Sequence, residues 1–313
     1  MIHVLETALP VFLTLGLGML CRATRLLTAE GVKALKSVAV NITLPAVLFS
    51  AFATAEYSAK SIAIPVFIFA LCVLAFFLGR IGCNLLKIPG RLSPFMATGF
   101  EAGMLGYALF TLLFGAGEVS RFAIVDLGQV LCVFTVYKIM LSGSGDWRGA
   151  VREALVSPTI WAICAGLLLG ATGAFRALAP SGVSGILTSV ASFVAAPTSA
   201  IILLSIGYDL VPKEIRWAKT AKIVALRVGV MAVILALALL VNRLILGGAM
   251  HTDALLMLMI LPPPYVLPVF ADAGDERANV SSALSVLTLL SLVLFAVLTA
   301  IYHLGPSPAS GGA

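Results

Sequence analysis

The sequence predicts an all-α polytopic membrane protein of ten transmembrane helices, arranged as two inverted five-helix repeats. Three observations carry this: an apolar composition, ten long apolar runs, and a regular alternation of basic and cation-poor loops. Of 313 residues, 61% are hydrophobic and 11% are charged, with a mean hydropathy of +1.11. A soluble domain is about 45–50% apolar and about 25% charged, and a chain this apolar cannot enclose its own hydrophobic surface in a sphere of its size. The composition excludes a cytosolic enzyme, a secreted disulfide scaffold and a disordered tail, and it leaves lipid as the solvent.

A helix crossing hydrocarbon needs about 20 mostly apolar residues, because nothing there satisfies a bare backbone. Such runs fall at 5–21, 35–53, 62–82, 94–114, 119–141, 157–175, 185–208, 221–245, 253–271 and 279–303. None alternates with the period of a membrane barrel strand. The first run lacks a basic leader and ends in Cys21-Arg22 rather than a cleavage site, which predicts a retained helix.

Lys and Arg test this count of spans. Sixteen of the twenty fall in odd-numbered loops or the helix ends beside them, including a seventh-loop group of Lys213, Arg216, Lys219, Lys222 and Arg227. The even loops hold Lys60, Arg121, Arg176 and Arg243. The positive-inside rule then places the odd loops in the cytoplasm and both termini outside it, in a multi-pass protein of the cytoplasmic membrane. The net charge of +6 is spread over loops rather than gathered in a patch, so no nucleic-acid partner is expected. Five cysteines without CxxC spacing and three scattered histidines predict neither a disulfide framework nor a metal site.

Internal repetition divides the chain near 1–150 and 151–313. Leu35 to Pro45 aligns with Leu187 to Pro197 through a shared leucine, Ser-Val-Ala and the mid-helix proline. Upstream, Gly18 matches Gly166, and downstream Tyr107 to Phe110 lies against Leu267 to Phe270. Five spans per half reverse the second half in the membrane, which makes the repeat inverted.

Proline inside a helix removes a hydrogen bond and frees a carbonyl, so Pro45 and Pro197 predict equivalent hinges in spans two and seven. Asn41, one turn before Pro45, is a candidate partner for the freed backbone and a candidate substrate contact. The ninth run contains Pro262, Pro263, Pro264, Tyr265 and Pro268, through which no continuous helix can pass. The fourth reads Gly99-Phe100-Glu101-Ala102-Gly103-Met104-Leu105-Gly106 and is broken by glycines instead. Interrupted segments at matching places in two halves point to a transporter's binding site, because half-helix ends offer bare N–H and C=O groups. Candidate substrate or ion contacts here are Glu101, Gly103, Gly106, Pro263, Pro264, Tyr265 and Pro268.

Acids at bilayer depth are costly unless neutral, paired or facing water. Glu101 lies inside the fourth run and Asp126 inside the fifth, and each is a candidate proton carrier or cation ligand. Gln129, three residues after Asp126, shares its helix face. No nucleophile and base pair, HExxH, intramembrane GxGD or phosphate-binding GxxxxGK[ST] occurs, so neither catalysis nor direct use of a nucleotide is expected, and no cofactor is implied.

The sequence resembles the auxin efflux carrier family of permeases. The resemblance rests on Leu9-Pro10-Val11-Phe12-Leu13 with Gly16 and Gly18, on Asn41-Ile42-Thr43-Leu44-Pro45-Ala46, and on the glycine-rich stretch to Leu109 followed by Phe114-Gly115. Asp126-Leu127-Gly128-Gln129, Ser157-Pro158, Ala195-Ala196-Pro197 with Gly207 and Leu210, and the proline-broken ninth run complete it. Glu101 stands where the family commonly has asparagine, and Ala108 where it commonly has proline. The resemblance implies broken spans four and nine that cross, a scaffold of spans one, two, six and seven, and a transport domain of spans three to five and eight to ten. It also implies secondary transport of a small organic anion, such as malate or malonate, by alternating access. Proton coupling follows from the buried acids, and a homodimer is compatible with this plan. The alternative is a sodium-coupled organic anion symporter of bile-acid-carrier type, which would need polar sodium ligands on spans four and nine.

Overall fold

A computed structural model of the chain describes residues 2–55, 57, 59–142, 156–210, 217–265, 267 and 276–304. Among these residues all regular structure is helical. Seven segments are long and apolar enough to cross a membrane: Glu6–Ala23, Ala29–Thr54, Ala63–Leu85, Ala116–Leu141, Val183–Asp209, Thr220–Leu244 and Asn279–His303. They coincide with seven of the ten apolar runs. The fourth, sixth and ninth runs form shorter pieces, each for a local reason.

In the fourth, a single turn α5 (Ser93–Met96) gives way at Gly99, whose φ of +71° no helix allows, and the chain resumes as a wide π-turn, Ala102–Gly106, and a helix α6 (Tyr107–Phe114). In the ninth, α14 (Thr252–Ile260) stops where Leu261 and the prolines turn extended. The sixth, α9 (Pro158–Ala171), starts at a proline, which needs no N–H partner in a first turn, and ends before Gly173 at φ +73°. Pro268 lies outside the described residues, as does the boundary between the expected halves near residue 150.

The remaining elements are α1 (Ile2–Ala23), α2 (Ala29–Val38), α3 (Leu44–Thr54), α4 (Ala59–Leu85), α7 (Val119–Cys132), α8 (Lys138–Ser142), α10 (Ala174–Ala177), α11 (Val183–Ala195), α12 (Thr198–Asp209), α13 (Trp217–Leu244) and α15 (Arg277–Leu304). The core gathers around α6 and α7, where Leu105, Leu109, Phe110 and Phe122 are wholly buried. Large apolar side chains on the periphery point outward, Phe193 at 84% exposure and Leu13 at 58%, as expected of surfaces wetted by lipid.

Glycines let several helix pairs approach closely, Gly128 of α7 on α4 among them, and two such contacts involve the glycines matched in the sequence alignment. Gly18 of α1 lies against α12, where an added Cβ would come within 2.2 Å of the Leu204 carbonyl oxygen. Gly166 of α9 lies against α3, where one would come within 2.8 Å of the Phe49 carbonyl oxygen. Small residues allow this backbone contact in a lipid-embedded bundle.

The helix is interrupted at both Pro45 and Pro197, and a threonine hydroxyl takes a nearby carbonyl at each. Before Pro45 the helix widens into a π-turn, Ala39–Thr43, in which Leu44 N–H bonds back to Ala39. Val40 therefore loses its usual donor, and Pro45 has none to give. Its carbonyl is taken by the Thr159 hydroxyl of α9 at 3.0 Å. Asn41, expected at this task, is exposed and donates to Ser37 Oγ at 3.2 Å. Its amide is on the outer side of the kink, away from the freed carbonyl. At Pro197 the helix stops and restarts, and the Thr198 hydroxyl takes the Ala195 carbonyl at 2.6 Å.

Candidate functional site

The broken fourth and ninth runs meet in the interior. Their backbones join directly, with Glu101 N–H donating to the Pro262 carbonyl at 2.8 Å. Gly99 makes the approach possible: a Cβ on it would sit 2.9 Å from the Tyr137 ring and 3.0 Å from Pro264 Cδ. Gly106 does the same one turn further on, facing Leu261 and Phe122 at 2.7 and 2.8 Å.

Charge completes the junction. The Glu101 carboxylate, only 6% exposed, accepts from Met104 N–H at 3.0 Å through Oε1 and from Tyr265 N–H through Oε2. It thus caps the N-terminal end of the π-turn and the first N–H after three prolines that have none. Acceptors suit such ends, where the partial charge of the helix is positive. The Tyr265 hydroxyl donates to Thr288 of α15 at 2.8 Å, since the Thr288 proton is already given to Leu284.

On the carbonyl side stands Arg227, a residue of α13 at 4% exposure. Its guanidinium donates to the carbonyls of Met96 at 3.3 Å, Thr98 at 3.1 Å, Gly99 at 2.7 Å and Leu261 at 2.7 Å. The first three end the leading half of the fourth run, and the last ends α14. One planar fork therefore satisfies the freed acceptors of both breaks, a geometry that lysine could not reproduce. This corrects the sequence-based assignment of Arg227 to the basic loop group: it is buried two turns inside the eighth run. The loop asymmetry then stands at fifteen cations to four.

Asp126 and Gln129 of α7 lie alongside, at 1% and 4% exposure. The Tyr107 hydroxyl donates to Asp126 Oδ2 at 3.0 Å, and the Gln129 side-chain N–H donates to the Phe100 carbonyl. Asp126 Oδ1 and Gln129 Oε1 have no partner.

Glu101, Gly106, Pro264 and Tyr265 are thus brought together, with Asp126 and Gln129 joined to them through Tyr107 and Phe100. Pro263 is buried in the same loop, and Gly103 faces Leu44, where an added Cβ would make ordinary contact at 3.8 Å. Asn41 is not part of this group. Arg227, Tyr107 and Thr288 are additions that sequence reasoning did not single out.

Beside the junction opens a cavity of about 420 Å³ between α3, α6, the start of α7 and the α11–α12 hinge. Its lining has no charged side chain but carries the hydroxyls of Ser50, Thr54, Tyr107, Thr111, Ser120, Thr188, Ser192, Thr198 and Ser199. Thr54 and Thr188 spend their protons on carbonyls of their own helices, and Thr198 spends its proton on Ala195 across the hinge. Ser50, Thr111, Ser120, Ser192 and Ser199 retain theirs. Among the described residues, no group of three or more His, Cys, Asp or Glu is placed to hold a metal ion.

Seven segments among the described residues that are long and apolar enough to cross a membrane, around a buried polar junction and a hydroxyl-lined cavity, fit a multi-pass membrane transporter. Comparison with known proteins agrees. Residues 3–150 match the model of a family described as membrane transport protein, the auxin efflux carrier family, and the resemblance drawn from the motifs is borne out over that stretch. A protein described as an uncharacterized transporter, from Methanothermobacter thermautotrophicus (strain ATCC 29096 / DSM 1053 / JCM 10044 / NBRC 100330 / Delta H), is 26% identical over 218 residues, covering 66% of this chain and 67% of its own length.

Proposed function

We propose that the chain is a secondary carrier that moves a small organic anion by alternating access, with ten membrane segments in two inverted halves. The single observation that carries the reading is the junction of two broken segments beside a 420 Å³ cavity whose free hydroxyls offer hydrogen-bond donors without a fixed charge. Donors suit a carboxylate, and the lack of a lining cation lets the anion leave again, as a carrier requires. Glu101 and Arg227 hold the junction rigid, and the hydroxyl groups make the substrate contacts.

The inverted repeat is supported by the two glycine contacts. Gly18 and Gly166 are matched by the sequence alignment, and each seats its helix on the second long segment of the opposite half, α12 for one and α3 for the other. Such reciprocal packing is what a two-fold relation in the membrane plane produces. Spans one, two, six and seven then form the scaffold. In the orientation set by loop charge, the cavity opens to the non-cytoplasmic side, since Ala116 and Gly117 line it.

The test is ligand-induced stabilisation of the purified protein by mono- and dicarboxylates, because a ligand bound to the folded form raises its melting temperature. At least one carboxylate should raise it, and the Thr111→Val, Ser192→Ala double variant should lose that shift. A shift that survives the double variant, or none with any carboxylate, overturns the reading. A carboxylate shift that demands sodium rather than choline favours the sodium symporter instead.

A further inference from the structure

We propose that Asp126 and Gln129 form the proton-binding site of this carrier, with the proton on Asp126 Oδ1 donated to Gln129 Oε1. The inference rests on reading the chain as a gradient-driven carrier and names the ion that couples it. Two orphaned oxygens carry it. Asp126 Oδ1 and Gln129 Oε1 are both acceptors, both buried, and both without a partner, although their residues are 1% and 4% exposed. An unpaired buried acceptor is costly, more so if charged, so two on one helix face call for something positive between them. Residues three apart on a helix are neighbours.

The other polar atoms of both side chains are fixed. Oδ2 accepts from the Tyr107 hydroxyl, and the Gln129 N–H donates to the Phe100 carbonyl, which needs a donor. The amide therefore cannot turn to offer an N–H to Oδ1. Adding one proton to Oδ1 converts the carboxylate to a neutral acid, supplies the missing donor, and satisfies both orphans at once. Charge balance is simple: Asp126 goes from −1 to zero and no other bond changes. A cation of the size of sodium would need several more oxygen ligands, and this pair alone supplies two.

Access is built in. Tyr107 lines the cavity and its hydroxyl touches Asp126, so one side chain separates the pair from that space. The titratable neighbours are Tyr107 on α6, Glu101 at the break and Cys72 on α4. On α7 itself Arg121 is held by Glu118 at 2.6 Å and by Asp253 of α14 at 3.7 Å. No cation in this group competes for Asp126.

Infrared spectroscopy of the full-length protein in detergent tests the proposal without any substrate. A carboxylic acid C=O band at neutral pH should be present in the wild type and missing in Asp126→Asn, while Glu101→Gln leaves it. Asp126→Asn should also melt within a few degrees of the wild type, because its amide offers the N–H that Gln129 lacks and still accepts from Tyr107. Should that variant not fold, wild-type protein labelled with carboxyl-13C aspartate decides the point: the acid band must move to lower frequency. An acid band unchanged by the substitution or the label overturns the proposal. So does a melting temperature raised by sodium chloride over choline chloride in wild type but not in Asp126→Asn. Failure here leaves the carboxylate-binding test of the cavity untouched.

Discussion

The hinges of α3 and α12 and the junction of the fourth and ninth runs solve the same problem by different means. All four interrupt a helix in a membrane-embedded bundle, where freed backbone groups need partners. At Pro45 and Pro197 the interruption is a turn or less, and one threonine hydroxyl takes one carbonyl at each. At the junction the broken ends of both runs lie within reach of one another, and the repair uses two ions: Arg227 on the carbonyls and Glu101 on the amides. The difference teaches that a neutral hydroxyl suffices for a local kink, whereas joining helix ends from two distant parts of the chain requires groups that reach several partners at once. The two breaks also complement each other. Prolines strip the ninth run of donors, so its carbonyls at Leu261 and Pro262 draw on Arg227 and on Glu101 N–H, and its first free donor, Tyr265 N–H, returns to Glu101.

Arg227→Met should break this contrast most strongly. It leaves the carbonyls of Met96, Thr98, Gly99 and Leu261 without their donor, and each buried acceptor left unpaired costs about 1–3 kcal/mol. Arg227→Lys should recover only part, since an ammonium cannot present the fork. Thermal unfolding in detergent reads both. A Met variant as stable as the wild type would mean that the junction is held by packing alone.

Gly99→Ala comes next. A side chain at φ +71° is strained, and its Cβ would press on Tyr137 and on the rigid Pro264 ring, for about 2–4 kcal/mol together. Gly106→Ala meets only the ends of Leu261 and Phe122, which can give, and should cost less. Reversal of that order, measured by the same melts, would show that the two segments are not seated against each other at Gly99.

Glu101→Gln is a milder break in the same place. The amide keeps one oxygen for either Met104 or Tyr265 and turns an NH2 toward the other N–H, so one backbone donor is stranded at about 1–3 kcal/mol. Hydrogen exchange at Met104 and Tyr265 would reveal which donor opens. Equal protection of both in the variant would remove Glu101 from its capping role.

Much of this was legible in the chain. Long apolar runs located the spans, the Gly99 to Gly106 stretch and the proline run located the breaks, and an acid among apolar residues marked Glu101 and Asp126. Arg227 was within sight as well, seven residues into the run at 221–245, but its proximity to Lys219 and Lys222 hides it in the loop-charge count. Depth inside a run, rather than distance from a basic cluster, is the signal that separates it. Thr159 and Tyr107 carried no such mark. A threonine or tyrosine in an apolar run is ordinary, and the partner of Thr159 lies 119 residues away in sequence. Which hydroxyl meets which freed carbonyl is decided by helix packing, which periodicity does not encode.

The smallest effect sharpens the comparison from the hinge side. Thr159→Val deletes one neutral donor and leaves the Val40 carbonyl to the interior, at about 1 kcal/mol. Asn41→Ala, by contrast, removes an exposed amide whose partner is another exposed side chain, and should change stability by less than about 0.5 kcal/mol. The pair tests the assignment directly because both residues flank the same kink and only one touches its freed carbonyl. If Asn41→Ala lowers the melting temperature more than Thr159→Val, the kink at Pro45 is repaired from its own helix. The between-helix repair by Thr159 would then have to be given up for that hinge.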